Sequence, residues 1–82
     1  MDNRLSLSPD RGWSPELGSK LRALRKERYL SAEKLSAQVG VSRPQIVKYE
    51  SGENAPSLGM VVRLARVLGV NPTQIVGWKE TA

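Results

Sequence analysis

The run RPQIVKYES, residues 43–51, gathers Arg43, Gln45 and Lys48 into one short stretch. A guanidinium presents two parallel N–H donors that match O6 and N7 of guanine. A carboxamide matches N6 and N7 of adenine, and an ammonium meets guanine or a phosphate oxygen. All three are recognition groups, and no nucleophile paired with a general base can be assembled from them. The chain holds neither histidine nor cysteine, which removes the usual general base, the usual transition-metal ligand and the thiolate. Its eight acidic residues are scattered without ligand spacing. The inventory points to binding, with no catalytic residue, no metal and no cofactor expected.

To act together these groups must share a face. On a helix turning about 100° per residue with Ile46 inward, Tyr49 and Glu50 fall on the inner side. Pro44, Val47, Lys48 and Ser51 fall on the outer side, and Arg43 reaches that face from the N-terminal end. Each outer residue has a plainer alternative. Arg43 reads a base, touches a phosphate or is solvated at a helix start. Lys48 contacts guanine or phosphate, or is an ordinary solvated lysine. Gln45 reads adenine or serves the helix cap, and Val47 touches a thymine methyl or is partly buried in the core.

The elements that must hold this face follow from capping and periodicity. Ser14-Pro15-Glu16 is a helix start, with a capping hydroxyl, a proline in the first turn and an acid at the positive end of the dipole. Leu17, Leu21, Leu24 and Arg28 form one stripe of a first helix running to about Arg28, with Lys20, Arg22 and Lys26 opposite. Ser31 caps a second helix with an apolar ridge of Leu35 and Val39, and Gly40 ends it. Ser42-x-x-Gln45 has capping-box spacing and starts the third helix, which Ser51-Gly52 stops. Ser57 caps a fourth helix carrying Leu58, Val61, Leu64, Ala65 and Leu68 up to Gly69. Asn71-Pro72 opens a short fifth one with Ile75 and Val76, ended by Gly77. No strand pattern interrupts the series. The fold class is all-α, and two short helices joined by a glycine turn make a helix-turn-helix candidate at helices 2 and 3.

From Leu17 to Val76 the chain resembles the compact five-helix, lambda-repressor-like domain of the Cro/C1-type (XRE-like) family of phage repressors and small bacterial regulators. LGSKLRALRKER, SAEKLSAQVGVSRPQIVKYESGE and PSLGMVVRLARVLGVNPTQIV carry the likeness. The resemblance implies a transcriptional regulator, a repressor whose third helix enters the major groove of double-stranded DNA. It also implies dimers on palindromic operators and helix starts near phosphates. Base contacts then fall to Arg43, Pro44, Gln45, Val47 and Lys48. Phosphate contacts fall to Ser31, Ala32, Ser42 and Ser51. An ion pair between Arg25 and Glu50 is implied as well. Three departures stand out: Tyr29 where the family often has a left-handed glycine, Ala32 where some members place a phosphate-contacting glutamine, and a loop Glu53-Asn54-Ala55 without basic residues.

Length and charge set the remaining bounds. With 82 residues the expectation is a flexible arm over residues 1–13, one domain over 14–78 and a tail over 79–82. Thirteen Lys and Arg against eight Asp and Glu give a net charge of +5, which suits an anionic partner. The first thirteen residues lack an apolar signal region, and no apolar run approaches the ~20 residues of a membrane span. A cytoplasmic, nucleoid-associated protein of bacterial or phage origin is expected, with no membrane partner and no small-molecule effector. Arg4 and Arg11 could enter a minor groove or stay solvated on the arm, while Arg22, Lys26, Arg63 and Arg66 read as solvated faces. Trp13 is expected to cover the core. Trp78 either folds back or joins Ile75 and Val76 in a homodimer contact. The alternative reading is a protein-interaction module, an antitoxin or anti-repressor with a protein partner.

Overall fold

The computed structural model describes residues 12–76. Five helices follow in order: α1 Pro15–Glu27, α2 Ala32–Val39, α3 Arg43–Ser51, α4 Leu58–Leu68 and α5 Pro72–Val76. No strand occurs among the described residues. Residues 1–11 of the expected arm, residues 77 and 78 of the expected domain and the expected tail at 79–82 lie outside the described residues, and with them Arg4, Arg11, Gly77 and Trp78. Trp13, counted with the arm by composition, is docked. Its Nε1–H donates to the Tyr49 carbonyl at 2.9 Å, and its ring packs on the core.

Each of the first four helices begins at a serine whose hydroxyl accepts a backbone N–H three residues on. Ser14 takes Leu17 N–H, Ser31 takes Lys34, Ser42 takes Gln45 and Ser57 takes Met60, at 3.2, 3.0, 3.3 and 3.1 Å. Such caps satisfy amides that the helix itself leaves open. α1 closes one residue earlier than its stripe predicts. Arg28 is the cap residue, and its Nε–H donates to the Leu68 carbonyl at the end of α4. Arg28 therefore joins two helix ends and contributes no apolar stripe.

Leu21, Leu35, Ile46, Val61, Leu64, Leu68 and Ile75 are fully buried and form one core with Val39, Tyr49 and Ala65. Burying each large side chain is worth ~1.5–3 kcal/mol before the cost of ordering is met. Leu58 departs from its predicted place: it begins the α4 stripe by spacing, yet it remains 49% exposed. It stands at the first helical position.

α3 packs against both α1 and α2, and α4 packs against α2 and α5. The α1–α3 crossing is close because Gly18 lies in it: a Cβ there would stand 2.3 Å from the Glu50 carbonyl oxygen. Gly52, with φ +85°, brings the end of α3 against the start of α1, where a Cβ would meet Pro15 N at 2.5 Å. These contacts fix how far α3 stands out from the domain.

Candidate nucleic-acid interface

The inner side of α3 consists of Ile46, Tyr49 and Glu50, all buried. The opposite side leaves Arg43, Pro44, Val47, Lys48 and Ser51 exposed. Val47 is 46% exposed, so the outward reading of this residue holds over partial core burial. Arg43 stands at the first helical position. There a cation opposes the helix dipole and costs the fold a few tenths of a kcal/mol, roughly 0.3–1. The position contributes reach toward a ligand at a small loss of stability.

Gln45 makes only half of the predicted capping box. Its N–H donates to Ser42 Oγ, but its carboxamide does not return to the Ser42 N–H and influences the Tyr49 phenol one turn on instead. Burial pushes the Tyr49 phenol above its ordinary value of 10.0, and the neighbouring Gln45 side chain offsets part of that rise. A glutamine returning to the start of its helix is found instead at α5, where Gln74 Oε1 accepts the Asn71 N–H at 2.9 Å. Gln45 is half-buried.

The two helix starts offer different donors. At α2 the Ser31 hydroxyl and carbonyl take the Lys34 and Leu35 N–H groups, which leaves the Ala32 and Glu33 amides for a ligand. At α3 the Ser42 oxygens take the Gln45 and Ile46 amides. Pro44 has no N–H, so only the Arg43 amide is left there. Both serine hydroxyls accept through a lone pair and keep their protons for an outside acceptor. Ser51 differs from this pattern. Its hydroxyl donates to the Lys48 carbonyl at 3.1 Å and accepts the Glu53 N–H at 3.3 Å, so a phosphate contact would cost it an existing bond.

Arg25 and Glu50 form a two-point ion pair, Nε to Oε2 at 2.7 Å and Nη2 to Oε1 at 3.1 Å. The third nitrogen, Nη1, donates to the Leu30 carbonyl at 2.7 Å. One buried guanidinium thus ties α1, the α1–α2 turn and the last turn of α3 together, with no buried side-chain N or O left unpartnered among the described residues. Ile75 is 0% exposed and offers nothing to a second chain, which corrects its place in a dimer contact. A buried isoleucine and an interface isoleucine give the same sequence signal. Val76 is half-buried against the same core.

Sequence reasoning gave no role to Gly18, although a glycine inside an amphipathic helix is a mark of close backbone approach. Arg63 is exposed, as a solvated face would be, and its Nη1 also donates to the Val39 carbonyl at the end of α2 at 3.3 Å. No local pattern could have indicated a bond to a helix end so distant in the chain. Among the described residues no helix is long and apolar enough to cross a membrane, and no group of three or more His, Cys, Asp or Glu could hold a metal.

An exposed, cationic third helix behind a tight glycine turn is the arrangement of a helix-turn-helix protein. The chain belongs to that family: residues 21–75 match its helix-turn-helix model. It is 38% identical over 63 residues to the cryptic phage CTXphi transcriptional repressor RstR of Vibrio cholerae, covering 77% of this chain and 57% of the relative. The chain thus spans somewhat over half the length of that repressor. Its fold matches the restriction-modification controller protein C.AhdI of Aeromonas hydrophila with a TM-score of 0.70 at 32% identity, over 73% of this chain and 91% of that one. It matches the P22 c2 repressor, solved in complex with synthetic operator 9T, with a TM-score of 0.69 at 29% identity, over 72% and 89% of the two chains. The Cro/C1-type kinship and the lambda-repressor-like fold expected from the sequence therefore hold.

Proposed function

We propose that this chain is a sequence-specific, double-stranded-DNA-binding transcriptional regulator that represses by occupying a palindromic operator as a homodimer. α3 lies in the major groove, with Arg43 and Lys48 at guanine edges, Gln45 at adenine, and Pro44 and Val47 against thymine methyls. Ser31, Ser42 and the open amides of Ala32 and Glu33 hold the flanking phosphates, so the missing side-chain amide at Ala32 is offset by backbone donors. The observation that carries this reading is the division of α3: Ile46, Tyr49 and Glu50 anchor it while Arg43, Val47 and Lys48 stand clear of every other element. Likeness to a phage repressor and to an operator-bound repressor supports it.

Selection from a random pool of duplexes by the full chain tests the proposal. The expected product is an inverted repeat whose half-site centres lie about one helical turn apart, roughly 34–36 Å. Recovery of duplexes without a shared sequence would overturn the sequence-specific reading, and a single unrepeated half-site would overturn the dimer.

A further inference from the structure

Tyr29, between α1 and α2, has φ +57°, and it is the one non-glycine residue with positive φ among those described. Its N–H donates to the Lys26 carbonyl at 2.9 Å, and the Leu30 N–H donates to the Arg25 carbonyl at 3.2 Å. Those two bonds close a Schellman-type helix end, whose left-handed position glycine fills without strain. The surroundings fix the conformation. Leu30 is packed against the core, its carbonyl is held by Arg25, and Ser31 is engaged in capping α2. A side chain at this position strains the backbone. The fold returns nothing for it, because the Tyr29 side chain is 95% exposed.

We infer that Tyr29 is a further contact residue for the sugar-phosphate backbone of the duplex, beside the start of α2. The inference rests on the DNA-binding reading and adds to it a residue and a chemistry. Tyr29 lies two residues before the α2 cap Ser31, so its exposed side chain adjoins in the chain the helix start that carries the open Ala32 and Glu33 amides. A phenol there gives one O–H donor to a phosphate oxygen and an aromatic face to deoxyribose. Ala32 has no side-chain donor, and the Tyr29 hydroxyl supplies one to the same neighbourhood. A bare aromatic ring held at a cost to the fold is thereby accounted for by its partner.

The full chain and its Y29G and Y29F variants are compared by thermal melting and by fluorescence anisotropy on a duplex recovered by selection. Y29G is expected to melt higher by roughly 2–5 °C, since relief of the left-handed strain exceeds the added entropy of glycine in the unfolded chain. It is also expected to bind the duplex roughly three- to tenfold more weakly, with an unchanged salt slope because no charge is removed. Y29F should melt like the parent and lose part of the affinity. Binding by Y29G within twofold of the parent would overturn the inference, as would weaker binding accompanied by a lower melting temperature, which marks a structural role. Failure of the parent itself to bind any selected duplex would overturn the DNA-binding reading and the inference with it. The first two outcomes leave that reading standing.

Discussion

The Arg25 guanidinium meets the Glu50 carboxylate at two points, with Nε 2.7 Å from Oε2, and its remaining nitrogen holds the Leu30 carbonyl. Both residues are only 9% exposed. Removing one partner therefore leaves the other charge buried and uncompensated, and a broken buried pair costs about 3–5 kcal/mol. Glu50→Ala should remove about that much from a domain whose whole stability is on the order of 5–15 kcal/mol. Urea unfolding measures it. A loss below about 1 kcal/mol, the range of exposed pairs, would show that water compensates Arg25.

How much of this was legible in the sequence depends on the range of the interaction. The four serine caps, the glycine stops at Gly40, Gly52 and Gly69, and the inward turn of Ile46, Tyr49 and Glu50 all follow from spacing within one or two turns. The outward face of α3 was readable for the same reason. Arg28 on Leu68, Arg63 on Val39 and Trp13 on Tyr49 link residues at least 24 positions apart, and nothing local encodes them. Leu58 and Ile75 mark the opposite limit. Both are apolar at helical spacing, yet one is half exposed and the other fully enclosed, because periodicity gives the face of a helix and says nothing of where its neighbours stop.

Gly18 permits the approach of α1 to α3. Gly18→Ala would set a Cβ 2.3 Å from the Glu50 carbonyl oxygen and 2.7 Å from that of Tyr49. Both are backbone atoms, so the helices must move apart. Overpacking of this kind costs ~1–3 kcal/mol or more, outweighing the roughly 1 kcal/mol by which alanine favours a helix over glycine. Denaturant melts should show net destabilisation, and an unchanged or raised midpoint would mean that the crossing yields easily.

Tyr49 makes stability depend on alkali. Burial raises its phenol above the ordinary 10.0, against a smaller lowering by Gln45, so the unfolded chain releases this proton more readily than the folded one. The stabilisation is whole below about pH 10 and is lost as pH rises through the folded value. Lysines titrate in parent and variant alike. The stability difference between the parent and Tyr49→Phe should hold constant in neutral solution and shift toward the phenylalanine variant above about pH 10. A difference independent of pH would contradict burial as the cause.

Phosphate contacts release counterions. For each phosphate neutralised, log K for the selected duplex should fall with log salt at a slope of about −0.9. The loop Glu53-Asn54-Ala55 brings no cation and Tyr29 is neutral, so the slope should be modest for a chain of net charge +5. Anisotropy titrations over a salt series give the number. A flat response would count against nucleic acid as the partner.

Arg43 separates recognition from stability. It opposes the dipole at the start of α3, so Arg43→Ala should leave the melting temperature unchanged or slightly higher. The loss of a two-point guanine contact should cost ~1–3 kcal/mol of discrimination, about 5- to 150-fold, at one base pair. Arg66 is equally cationic and exposed but lies on α4, outside the helix-turn-helix of α2 and α3. Arg66→Ala removes the same charge, so it controls for net charge and should change specificity little. Anisotropy on the selected duplex and on its single-base variants distinguishes the two residues. Equal, sequence-independent losses in both variants would reduce Arg43 to a general attraction for polyanions and leave the reading of bases to other residues of α3.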